Sequence, residues 1–350
     1  MTSFDAEAQD YSESAAARRE GPVTGTAREV YFSTELAQHN QGYAFSSHIL
    51  SEPAMFTRID HVMICVPDLP QGIEQYRKLG FNIYPGGTHT GKGTHAAIAF
   101  NQDDYVELRA IRDQAEHQRA AGGPGSTDAG LADFIAAGGG IRYIILQSDD
   151  LTADVAAMRS RGVDLSDAFE SDRRTPAGQQ LRWKAAVLGP RNPLPIVFIQ
   201  HLTPLEERRK QVPVSGNHPN GVYTLERAYI VTHDAEAAAA TYAKVLGMPQ
   251  PPLQKGTVIM SNMAIFQVGP TGLGVVQPYA PGPAAEALER RGPGPFQALY
   301  RTTSMGAAAR WMHEHGMPPL ARGVRNTGEH AMLATPGDAC GAYIGFVGPE

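Results

Sequence analysis

Apolar and polar positions follow a recurring order from Thr57 onward. The run IDHVMICV at Ile59–Val66 is rich in β-branched and apolar residues and predicts a strand. Pro67 then ends the strand and Asp68 supplies a helix N-cap, after which Leu69, Ile73, Tyr76 and Leu79 recur at helical spacing and Gly80 closes the turn. The segments FNIYPGG, THAAIAF and YVELRAI complete a β-α-β-β-β unit. The same order returns at GIRYIILQSDDL, where Ile141 aligns with Ile59, Asp150 with Asp68 and Leu151 with Leu69. A third copy opens at TLERAYIVTHDA, with Asp234 in the place of Asp68 and Gly247 in that of Gly80, and a weaker fourth opens at PFQALYRTTSM. Internal repetition of this kind predicts an α+β fold of four βαβββ modules. The expected divisions are an N-terminal extension over 1–56, partly disordered, a domain over 57–205, a linker over 206–220 and a second domain over 221–350.

Composition narrows the classes without changing that frame. A net charge of −6 and the lack of a basic cluster argue against nucleic acid or an anionic membrane as partner. Two cysteines, Cys65 and Cys340, are too few for a secreted disulfide framework, and no apolar run has the length of a membrane span, so a cytoplasmic location is expected. The expected partner is a small-molecule substrate, with a homodimer left open.

The paired units, the opening IDHVMICVPDL and the closing YVEL resemble the vicinal oxygen chelate superfamily, the group of glyoxalase I, extradiol dioxygenases and bleomycin-resistance proteins. GGTHTGKGTHAAIAF and LRWKAAVLG are similar to its glyoxalase-like subgroup. The resemblance implies that modules pair as half-barrels, modules one and two forming one domain and modules three and four the other, around a divalent metal held by first and last strands.

Strand alternation agrees for the first module. His61, Met63 and Cys65 share one face and Val62, Ile64 and Val66 the other, so the aliphatic face suits the helix and His61 faces the hollow. Glu107 shares a face with Tyr105 and Arg109. An imidazole and a carboxylate in one cavity suit iron, manganese, nickel or zinc; a hydrogen-bonded core histidine and a locally paired glutamate are the plainer alternative. The equivalent positions of the paired unit are Tyr143 and Gln200, both weak ligands, so His201, one residue on, is a candidate if a bulge turns it inward. His95, opening a strand, is the other candidate third histidine, and His89 in the glycine-rich stretch is assigned to substrate contact. Arg182 and Lys184 share a face and would stabilise an anion, with Trp183 opposite in the core. Tyr105 and Tyr143 are candidate proton donors. Arg227, Gln277, Gln297 and Gly345 stand where ligands would be in modules three and four, which predicts a degenerate, structural second domain. The expected activity is Lewis-acid and acid–base isomerisation, lyase or hydrolysis chemistry on a small organic metabolite carrying neighbouring oxygens, anionic or aromatic in character. An extradiol-type dioxygenase and a metal-free drug-binding protein are the alternatives.

Overall fold

In the computed structural model the described residues are 55–121, 128–319, 321–325 and 327–350. The expected N-terminal arm, up to residue 54, lies outside them. The first half runs β1 (Arg58–Cys65), α1 (Leu69–Lys78), β2 (Tyr84–His89), β3 (Thr94–Phe100), β4 (Tyr105–Ile111), α2 (Gln114–Ala121), α3 (Leu131–Ala136), β5 (Gly140–Gln147), α4 (Leu151–Ser160), β6 (Phe169–Arg174), β7 (Gln180–Val187), β8 (Ile196–His201) and α5 (Leu205–Arg209). The second runs β9 (Val222–Val231), α6 (Ala235–Leu246), β10 (Gln254–Gly256), β11 (Ser261–Val268), β12 (Thr271–Pro278), α7 (Pro283–Arg291), β13 (Gly294–Thr302), α8 (Met305–Glu314), β14 (Ala321–Val324), β15 (His330–Ala334) and β16 (Tyr343–Gly348).

Strands β1 to β8 close into a barrel in the order β1-β4-β3-β2-β6-β7-β8-β5, and β9 to β16 form an open eight-stranded sheet in the order β10-β11-β12-β9-β13-β16-β15-β14. The fold is α+β, four βαβββ modules paired two by two. Each half joins its modules through the same pairing: β1 lies parallel to β4 and antiparallel to β5, as β9 lies to β12 and β13. Closure of the barrel depends on β2 meeting β6 at Thr88 and His89. Gly87 allows it, because at φ +107 a Cβ there would lie 1.8 Å from the Arg174 carbonyl oxygen.

The modules' helices begin on caps that the repeat had marked. Asp68, Asp150 and Asp234 accept hydrogen bonds from the backbone N–H of Gln71, Ala153 and Ala237, satisfying donors that an α-helix leaves orphaned. Ser304 does the same for α8. Val62, Ile64 and Val66 pack outward in the main core, whereas Met63 and Cys65 lie in a separate apolar cluster inside the barrel. The main core runs on into the second half, where Phe81 meets the rings of Tyr300 and Phe346 at 5.5 and 6.2 Å. Among the described residues no helix is long and apolar enough to cross a membrane.

Candidate active site

Inside the barrel, polar groups gather at one layer of an otherwise apolar wall. His61 on β1 places Nε2 3.0 Å from Glu107 Oε2 on β4, and Nδ1 2.7 Å from Asp60 Oδ2. His201, ending β8, places Nε2 3.0 Å from the other oxygen of Asp60. His89, ending β2, sits with Nε2 3.4 Å from Glu107 Oε1 and Nδ1 3.1 Å from the Thr94 hydroxyl. Arg109 donates to Thr94 Oγ1 at 3.0 Å and to Asp128. His201, Asp60, His61, Glu107, His89, Thr94, Arg109 and Asp128 are thus one continuous polar chain across the barrel. The Tyr105 ring stacks on His61, centroids 4.2 Å apart.

Asp60 is the member that strand alternation hides. A regular strand would turn it away from His61. Ile59 pairs with Leu146 and His61 with Ile145, so Asp60 is the extra residue of a β-bulge and its carboxylate joins the interior cluster. An acidic residue in an apolar strand was the available signal, since a buried carboxylate demands a partner.

The charges follow from these contacts. Burial by itself would raise the carboxyls of Asp60 and Glu107, but the histidines outweigh it and hold both well below the usual range. Burial would likewise lower His61, yet the hydrogen bonds to Asp60 and Glu107 outweigh it and raise it, favouring the protonated ring between two carboxylates. His89 goes the other way: burial, reinforced by Arg109, pushes it down to about 4 and keeps it neutral. Burial also lowers His201, despite Asp60.

Several expected site residues are elsewhere. His95 faces outward on β3, because the inward residues of that strand are Thr94, Ala96, Ile98 and Phe100. Gln200 points out too, donating to the Asp149 carbonyl and accepting from Leu151 N at the start of α4. His201 turns inward by ordinary alternation with Val197 and Ile199, paired in register with Trp183, and the bulge lies on β1 instead. Arg182 borders the cavity but its guanidinium is half-exposed in an ion pair with Glu170, and Lys184 reaches Thr152 Oγ1 of α4. Trp183 is the inward residue, its ring edge-on to His89 with centroids 6.2 Å apart. Tyr143 faces the barrel's apolar layer beside Met63, away from the polar chain. Glu107, His61, His89 and Tyr105 come together as one group. Beside Arg109, two further interior cations are ones the sequence did not single out: Arg173 on β6, bound to the Gly86 carbonyl and, at 2.8 Å, to Gln211 Oε1, and Lys92, whose ammonium burial and Arg109 depress. Both line a cavity that gives about 70 Å³ of space to the centres of water molecules, bounded also by Met63, Leu181 and Ile199.

Whether this donor set fits a metal turns on its chemistry. Among the described residues no three His, Cys, Asp or Glu side chains are arranged around one metal-sized point; here the donors are closed on each other. Two imidazole Nε2 atoms nevertheless aim at one carboxylate, Glu107 Oε1 is buried with no hydrogen bond, and each imidazole is held at Nδ1 by an oxygen. Each imidazole thus has the Nδ1 support that metal-ligating histidines carry, and the donor types, though not their present spacing, suit a divalent ion.

A closed barrel of paired βαβββ modules with a histidine–carboxylate cluster inside defines a vicinal oxygen chelate fold. The chain belongs to the glyoxalase-like domain family, whose model matches residues 59–246, more than half of its length. No curated protein matches the sequence significantly. Solved structures share the fold at low identity. A hypothetical protein from Staphylococcus aureus has TM-score 0.59 and 12% identity over 84% of this chain and 99% of that one. A triple mutant of 4-hydroxymandelate synthase from Streptomyces coelicolor has TM-score 0.58 and 12% identity over 84% and 94%. A fusion of a xylose isomerase-like TIM barrel with 4-hydroxyphenylpyruvate dioxygenase has TM-score 0.51 and 11% identity, this chain covering 49% of it.

Proposed function

We propose that the barrel is the active site of a metal-dependent enzyme acting on a small organic anion with neighbouring oxygens. The observation that carries this reading is the aim of His61 Nε2 and His89 Nε2 at Glu107 while Asp60 and Thr94 hold their Nδ1 atoms. His61, His89 and Glu107 would hold the ion, which when bound supplies a Lewis acid for the substrate's oxygens. The protein's own contribution is positional. Asp60 fixes the ring of His61, and Thr94, itself held by Arg109, fixes that of His89. Arg173 and Lys92 give the cavity the positive charge that an anionic substrate needs, and Met63, Leu181 and Ile199 supply apolar lining. His61, whose carboxylate partners favour its protonated form, releases a proton when it becomes a ligand, so metal affinity rises with pH.

A second reading, oxygen activation, is favoured by the donor set itself, because two histidines and one carboxylate suit non-haem iron(II). The dioxygenase named among the structural neighbours is consistent with it.

The test is metal content of protein purified without chelators, for wild type and for His61→Ala, His89→Ala and Glu107→Ala. Near-stoichiometric metal in wild type and at least tenfold less in each variant is expected. Equally low metal in all four would overturn both readings in favour of a metal-free binding protein. Iron, with substrate-dependent oxygen uptake, would select the second reading over the first.

A further inference from the structure

The open sheet holds a cavity of its own, giving about 170 Å³ to the centres of water molecules, against about 70 Å³ in the barrel. Its walls are Ile259, Met263, Leu299 and Leu333, each 9% exposed or less. Two polar groups stand unanswered within it. Gln297 on β13 is 4% exposed and its Oε1 accepts no hydrogen bond, and Arg227 on β9 has a buried Nε–H that donates to nothing. Leu299 pairs with Arg227 and Gln297 with Tyr229, which makes Arg227 and Gln297 diagonal neighbours on one face. Beyond that free Nε–H, the partners of Arg227 are loose: Nη1 donates to the Tyr229 hydroxyl at 3.3 Å, the guanidinium lies over the Tyr229 ring at 5.8 Å, and the contact to Glu226 is 3.8 Å, whereas Glu226 holds Arg301 and Arg325 at 2.5 and 2.7 Å.

A buried acceptor left unpaired is costly, so its retention calls for a partner. The complement of an unpaired acceptor beside an unpaired guanidinium N–H is a molecule with a donor next to an anionic oxygen. The apolar walls call for a short hydrocarbon body. We infer that the second half-barrel is a separate binding site for a small α-hydroxy or α-amido carboxylic acid, its carboxylate on Arg227, its O–H or N–H donated to Gln297 Oε1, and its apolar tail against Ile259, Met263 and Leu333. This site shares no residue with the barrel and stands or falls apart from the metal there.

The test is titration calorimetry of the full chain with α-hydroxyisocaproate and with isocaproate, which lacks only the hydroxyl. Saturable binding of the hydroxy acid is expected, at least tenfold tighter than of the deoxy acid. Arg227→Met should weaken both acids at least tenfold. Gln297→Leu should bring the hydroxy acid down to the level of the deoxy acid and leave the latter unchanged, a result that general misfolding would not give. Leu333→Trp, which keeps both polar groups but fills the cavity, should abolish binding of both, and Glu107→Gln should alter neither. No saturable binding to wild type, or binding that survives Arg227→Met and disappears in Glu107→Gln, overturns the inference.

Discussion

The barrel and the open sheet start from one plan and end with different chemistry. In each, the first strand bulges at an acidic residue next to a basic one: Asp60 before His61, and Glu226 before Arg227. In the barrel the bulged carboxylate is almost completely buried and bridges His61 and His201. In the sheet Glu226 is partly exposed and joins Arg227, Arg301 and Arg325 in an ion network that also includes Glu329. The partner strand differs more. Glu107 lies opposite Met63, and its counterpart by register, opposite Tyr229, is Gly274 rather than the expected Gln277. Gln277 instead accepts from the N–H of Ala235 at the start of α6. Bulge geometry alone therefore does not build the histidine–carboxylate cluster; a carboxylate on the paired strand is also needed.

That contrast is open to direct test, and the largest effect is expected at the bulges. Asp60→Ala leaves His61 Nδ1 and His201 Nε2 buried without their partner and should destabilise the metal-free protein by about 3–5 kcal/mol. Glu226→Ala should cost about 1 kcal/mol, because Arg301 and Arg325 keep Glu329 and water reaches the network. Urea midpoints compare the two, and equal losses would break the distinction drawn here.

Acid sensitivity should come next and should trace to the barrel and its rim. His89 and His218 are both pushed down to about 4, chiefly by burial. His218 accepts from Asn82 N on Nδ1, which requires an unprotonated nitrogen there. A base with a depressed folded pKa lets the unfolded chain take its proton first. Stability is thus level above the ordinary 6.5 and falls as pH drops from there toward about 4, by up to about 3 kcal/mol for each histidine. His61, raised, contributes in the opposite sense, its stabilisation being present below 6.5 and lost as pH rises through its folded value. Urea melts of chelator-treated protein at a series of pH values should show this fall, and His218→Gln should flatten part of it. An unchanged slope in that variant would remove His218 from the account.

Gly274→Ala should cost about 1–3 kcal/mol, since the new Cβ would lie 2.5 Å from the Tyr229 ring. A neutral result in thermal melts would mean that the ring moves freely and that a carboxylate could be restored there. The smallest effect is expected at the two cations of β7: Arg182→Ala and Lys184→Ala should each shift stability by less than about 0.5 kcal/mol and leave metal content unchanged. Metal loss in either would return these residues to the site.

Particular residues show where sequence reading stops. The four modules, the capping aspartates at 68, 150 and 234, and the aliphatic outward face of β1 are local patterns, fixed by spacing along a single element. His61 and Glu107 belong with them, because regular alternation on β1 and β4 is enough to face both inward. For Arg182, Lys184 and Gln200 no local feature fixes the inward phase of β7 and β8. That phase depends on the pairing of Trp183 with His201 and on the closure of β2 on β6. Asp60 entered the site through a bulge set by β5, and His89 became a member of the cluster through the turn that carries it against Glu107. Sequence by itself determined the elements, their repetition and one histidine–carboxylate pair. Only the tertiary structure decided which further side chains meet that pair, because strand phase and bulges are fixed by hydrogen bonds to neighbours distant in the chain.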